Sequence, residues 1–115
     1  MDELVQHISS TTGVDPAVSR SAVAIILKFL LIEASGTEAQ ELVDKITGAS
    51  EAIANAPDIA GGGVMGVFSS LRSAGLGIGE LQSVAGELLS YANTQLGEAE
   101  VRDMLASVPG LSQFI

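Results

Sequence analysis

Apolar residues recur at helical spacing along the whole chain, and part of that pattern is written twice. Residues 38–50 run EAQELVDKITGAS and residues 100–112 run EVRDMLASVPGLS. Set 62 positions apart, the two share Glu38/Glu100, Gly48/Gly110 and Ser50/Ser112, and they pair Ala39 with Val101, Leu42 with Met104, Val43 with Leu105 and Ile46 with Val108. At an offset of 63, Leu4, Val5 and Ile8 fall on Val67, Phe68 and Leu71, while Val18, Ala22, Ile25 and Ile26 fall on Leu81, Ala85, Leu88 and Leu89. A repeat of this kind predicts supersecondary units that hide their apolar faces on one another. What recurs is apolar stripes, helix-start acids and helix-stop glycines. No reactive group is repeated.

Six helices follow from periodicity, with a seventh segment in reserve. Leu4, Val5 and Ile8 mark the first, which Gly13 ends. Asp15-Pro16 opens the second, because Asp caps free amides and Pro tolerates the first helical position. That helix runs to about Ala34, is apolar around most of its circumference, and should be the most buried element. Thr37-x-x-Gln40 has the form of a capping box and opens the third. Gly48 ends or weakens it, and the Ala-rich stretch 50–56 is a candidate continuation. Residues 57–63 (PDIAGGG) form a glycine-rich connector, since three consecutive glycines hold a helix poorly. Val64, Val67, Phe68 and Leu71 give the fourth helix, and Gly75-Leu76-Gly77 breaks it. Leu81, Val84, Ala85, Leu88, Leu89, Ala92 and Leu96 form the cleanest stripe, the fifth. After Gly97, Val101, Met104, Leu105 and Val108 give the sixth. No stretch alternates as a strand would. The expectation is an all-α single domain over 1–115, a bundle of five to seven helices. It is built from two similar three-helix units, about 2–50 and 64–112, joined by the hinge 57–63.

The quoted segments GVDPAVSRSAVAIILKFL, IAGGGVMGVFSSL and GLGIGELQSVAGELLSYANTQLGEAEVRDMLASVPGL resemble the VcgC/VcgE-like family of small bacterial helical proteins of unknown function. The resemblance covers most of the chain, with a shorter glycine segment than that family's. It implies a helical fold and supplies no active site.

Composition narrows the function. Five basic and fourteen acidic residues give a formal charge of −9, and Arg20, Lys28, Lys45, Arg72 and Arg102 are scattered. Phosphate backbones and anionic membranes are bound by clustered cations, so neither is an expected partner. Only 3% of the residues are aromatic, which makes the core aliphatic, and the absence of cysteine removes thiolate chemistry and disulfides. The acidic start Met1-Asp2-Glu3 is unlike a secretory leader. The apolar run 22–32 would span about 16 Å as helix, half of a bilayer core, and Lys28 interrupts it. A soluble cytoplasmic protein is expected; a mature exported form that has lost its leader fits the sequence as well.

The motifs that carry chemistry elsewhere have plainer readings here. Gly61-Gly62-Gly63-Val64-Met65-Gly66 matches G-x-G-x-x-G, but a dinucleotide site needs a strand before it, and 55–60 make none. His7 is the only histidine; alone it makes no zinc site, and an exposed pair with Glu3 one turn away accounts for it. Ser9 and Ser10 sit too close to His7 to use it as a base. Ser70-Leu71 follows Ser69 rather than Asp, so the attachment signal of an acyl carrier protein is missing. The acids Glu38, Glu41, Glu98, Glu100 and Asp103 cluster at helix starts, where the macrodipole favours them.

No catalytic residue, cofactor or metal is therefore assigned, and enzyme activity is not expected. Two classes remain. The first is an interaction or structural module that self-associates or docks a protein partner on apolar surface near the hinge. Its candidate contacts are Val64, Met65 and Phe68, with Leu111, Phe114 and Ile115 of the apolar tail. The second is a carrier of a small apolar ligand held between the two units.

Overall fold

An aliphatic helix that is apolar around most of its circumference needs neighbours on most of its sides, and the computed structural model arranges the chain around that requirement. Residues 2–34, 37–56 and 63–107 are described here. They form seven α-helices and no strand: α1 (Asp2–Thr12), α2 (Pro16–Glu33), α3 (Glu38–Lys45), α4 (Ala49–Asn55), α5 (Gly63–Ser73), α6 (Ile78–Leu96) and α7 (Glu98–Ala106). The all-α bundle is thus the fold. A radius of gyration of 12.6 Å matches the ~13 Å of a compact body of this length.

Local chemistry sets most helix ends. The Asp15 carboxylate accepts from the Ala17 amide at 2.8 Å, and Pro16 is the first residue of α2. Gly13 enters the left-handed region at φ +78° and donates to the Ser9 carbonyl at 2.9 Å, closing α1 so that Val14 can turn into the core. Gly97 takes φ +99° between α6 and α7. Glu80 accepts from the Gly77 amide at 3.0 Å and so caps α6 from within its first turn.

Three expectations change. Thr37 does not form the capping box: its backbone is helical (φ −96°, ψ −3°) where a side-chain cap needs an extended one, and Gln40 spends its amide on Asp44 at 2.9 Å instead. The Ala-rich stretch after Gly48 is a separate helix, α4, because Gly48 at φ +86° breaks the chain direction ahead of it. Gly63, assigned to the hinge from sequence, is the first residue of α5, a position where a helix tolerates glycine. The rest of the hinge, 57–62, lies outside the described residues, as do Pro109 and Gly110.

Helix α2 is the centre. Ala22, Val23, Ala24, Ile25, Leu27, Phe29 and Leu30 are all buried on it, and α1, α3, α4, α5 and α6 pack around it. Lys28 escapes the apolar run at a half-buried edge and donates to the Ala56 carbonyl at the end of α4 at 3.4 Å. Helix α6 buries Leu81, Val84, Leu88 and Ala92 and packs on α1, α2, α3, α5 and α7. Helices α1 and α5 each lie against both long helices, so the two halves of the chain interleave rather than sit side by side. Among the described residues, no helix is long and apolar enough to cross a membrane.

Three substitutions test these helix ends and interiors. Asp15→Ala should lower the unfolding free energy by about 1 kcal/mol, measured by urea denaturation. Gly86 is interior to α6 with open space where a Cβ would stand, so Gly86→Ala should stabilise by roughly 0.5–1 kcal/mol, while Gly97→Ala, forced to a positive φ, should destabilise by about 1–3 kcal/mol.

Candidate functional site

An apolar groove lies between α2, α5, α6 and α7. Its floor is core: Phe29 and Leu30 of α2, Val67 and Leu71 of α5, Leu81, Leu88 and Ala92 of α6, and Met104 of α7, with Leu42 of α3 beneath. Its rim is half-buried and equally apolar: Ile26, Phe68, Ala85, Leu89 and Leu105. The enclosed part measures about 70 Å³. Among the described residues, no side chain that lines it carries a charge, so these offer dispersion and desolvation.

Four of the five rim residues, all but Ile26, come from α5, α6 and α7. Val5, Ala22 and Val43 are buried, whereas Phe68, Ala85 and Leu105, which stand at the matching positions, are half-buried. On α6 the stripe is wider than the core contact. Its Leu81, Val84, Leu88 and Ala92 edge is buried, and its Ala85, Leu89 and Leu96 edge is not.

Of the residues singled out from sequence, Phe68 is on the groove. Met65 lies one turn earlier on α5 and is 68% exposed. Val64 belongs to α5, but its side chain, like Leu111, Phe114 and Ile115, lies outside the described residues. Sequence reasoning missed Ile26, Ala85, Leu89 and Leu105. The signal was present in the width of the α6 stripe, yet only packing tells which edge is covered. Two further large apolar side chains are exposed, Ile32 at 63% and Ile78 at 57%.

Among the described residues, the polar groups singled out from sequence lie in separate places. His7 does not pair with Glu3. Its Nε2 lies 3.1 Å from an Oε2 of Glu87, joining α1 to α6 across the surface. Around that pair an open polar cleft of about 720 Å³ carries Lys45, Thr47, Ser90, Tyr91 and Thr94. No three His, Asp or Glu side chains converge as a metal site would need, among the described residues. The Ser9 hydroxyl donates to the Val14 carbonyl at 2.6 Å, and Ser70 is buried. Glu98 sits in the first turn of α7 and meets Arg102 at 3.5 Å, and Arg20 pairs with Asp2. Of the segment read as unable to supply a strand before the glycine motif, Asn55 ends α4, and 57–60 lie outside the described residues.

No family model, no curated protein and no solved structure matches the chain.

The floor and rim should separate in their energetics. Leu88→Ala, fully buried, should cost about 2–5 kcal/mol in thermal or urea unfolding, and Leu89→Ala clearly less, because its side chain is already partly in water.

Proposed function

We propose that this protein is a non-enzymatic interaction module. Its groove seats an apolar side chain of a protein partner, and a second copy of the chain is the partner that can be tested directly. The observation that carries this reading is the groove itself, a core-lined floor with five half-buried apolar side chains at its rim. The two-unit plan belongs to the same proposal: α1, α2 and α3 have 11, 18 and 8 residues, and α5, α6 and α7 have 11, 19 and 9. A duplicated helical frame whose second half is less covered supports a role in contact rather than in chemistry. The VcgC/VcgE-like resemblance adds a helical family without an assigned activity.

Size orders the two classes raised by the sequence. The enclosed space of about 70 Å³ is under half of the ~150 Å³ that accepts a benzene ring, and far below the roughly 300 Å³ at which small-molecule pockets begin. It suits the tip of one side chain better than a whole ligand. The carrier reading, favoured by the purely apolar lining, takes second place; native mass spectrometry showing a stoichiometric co-purifying apolar molecule would restore it.

Sedimentation velocity over a broad concentration range tests the module. The expected result is reversible self-association. Leu89→Glu, which would bring a charge into the contact, should weaken it by more than about tenfold, the equivalent of some 1.4 kcal/mol. A strictly monomeric profile at the highest concentration would remove self-association.

A further inference from the structure

The charges around the groove are balanced in a chain that is otherwise strongly acidic, and that balance bears on what can dock there. Helix α6 presents an outer flank of Ile78, Gln82, Ala85, Leu89, Asn93 and Leu96. Their spacings of four, three, four, four and three keep them on one face. None of them is charged. The helix has two acids, and both are engaged elsewhere: Glu80 accepts from the Gly77 amide, and Glu87 meets His7 of α1. Ile78 is exposed, and Ala85, Leu89 and Leu96 are half-buried. Gly86 stands beside them with open space where a Cβ would be, so another chain can come close there.

Helices α5 and α7 also line the groove, α5 seated on α2 and α6, and α7 on α6 and α3. Arg72 is the one charged side chain of α5, and it follows the rim residue Phe68 by four positions, on the same side of the helix. On α7, Glu98 and Arg102 precede the rim residue Leu105 by seven and three positions, again on one side. Their own contact, at 3.5 Å, lies largely in water and is weak, so a docking arginine can join Glu98. On α2, Glu33 follows the rim residue Ile26 by seven. Two arginines and two glutamates thus border the groove in a chain of formal charge −9. A second copy is repelled by the acids on most of this surface, and here it meets a balanced set. A twofold axis along the groove lays α5 of one copy over α7 of the other, which brings Arg72 toward the second copy's Glu98.

We propose that two copies of this chain pair symmetrically across the groove, α6 flank against α6 flank, with Arg72 of each meeting the second copy's Glu98. The proposal rests on the interaction-module reading and gives it a partner and an orientation.

Charge reversal in the full chain, followed by sedimentation velocity, tests the arrangement. Arg72 and Glu98 are both exposed, so their variants should keep the parent's helical circular dichroism. Arg72→Glu and Glu98→Arg should each weaken the dimer about tenfold, and the double variant Arg72→Glu/Glu98→Arg should return to within about threefold of the parent. Losses that simply add in the double variant would overturn the paired arrangement. So would a dimer that Leu89→Glu weakens and neither reversal touches; in both cases the interaction-module reading stands. Species that grow beyond a dimer with concentration would overturn the closed symmetric pair. A parent that stays monomeric throughout would overturn the pairing together with self-association.

Discussion

Helix α2 can exist in water only if most of its circumference is covered, and the rest of the structure follows from that. Its buried residues occupy most of its circumference, leaving the Ser21, Lys28 and Ile32 side toward solvent, so it cannot lie on the surface as an ordinary amphipathic helix does. Five helices answer this by packing on it. With few aromatic rings available, the cover is built from Leu, Ile, Val and Ala, whose small contacts add up only where packing is dense. The short loops and left-handed glycines at Gly13, Gly48, Gly75 and Gly97 let the chain turn back repeatedly onto the same centre.

The second long helix, α6, meets the same demand incompletely. One edge of its stripe faces the core and the other forms the groove. Three positions that are buried in the first half, Val5, Ala22 and Val43, correspond to half-buried Phe68, Ala85 and Leu105 at the groove rim. A scattered excess of exposed apolar groups would be ordinary for a protein surface. A contiguous set around a core-lined floor is the observation on which the interaction-module proposal rests.

The sequence showed what local chemistry decides. Asp15-Pro16 announces a helix start because both residues act within one turn, and the apolar period of α6 announces its buried edge. Thr37-x-x-Gln40 misled because a cap depends on backbone angles that the motif does not encode, and Gln40 had Asp44 within reach as a competing partner. His7 was matched to Glu3 for the same reason: the sequence offers near neighbours, whereas Glu87 comes from another helix 80 residues away. The groove was illegible for a deeper reason. Whether Ala85 and Leu89 belong to core or surface depends on where α5 and α7 pack, and no window of sequence contains that information.

The most direct measurement is a dilution series followed by methyl-resolved NMR. If the groove is the contact surface, the methyls of Ile26, Ala85, Leu89 and Leu105 shift together with concentration, while those of Val5 and Ile8 stay fixed. Shifts centred instead on Ile32, Met65 or Ile78, or no shifts at any concentration, would contradict it.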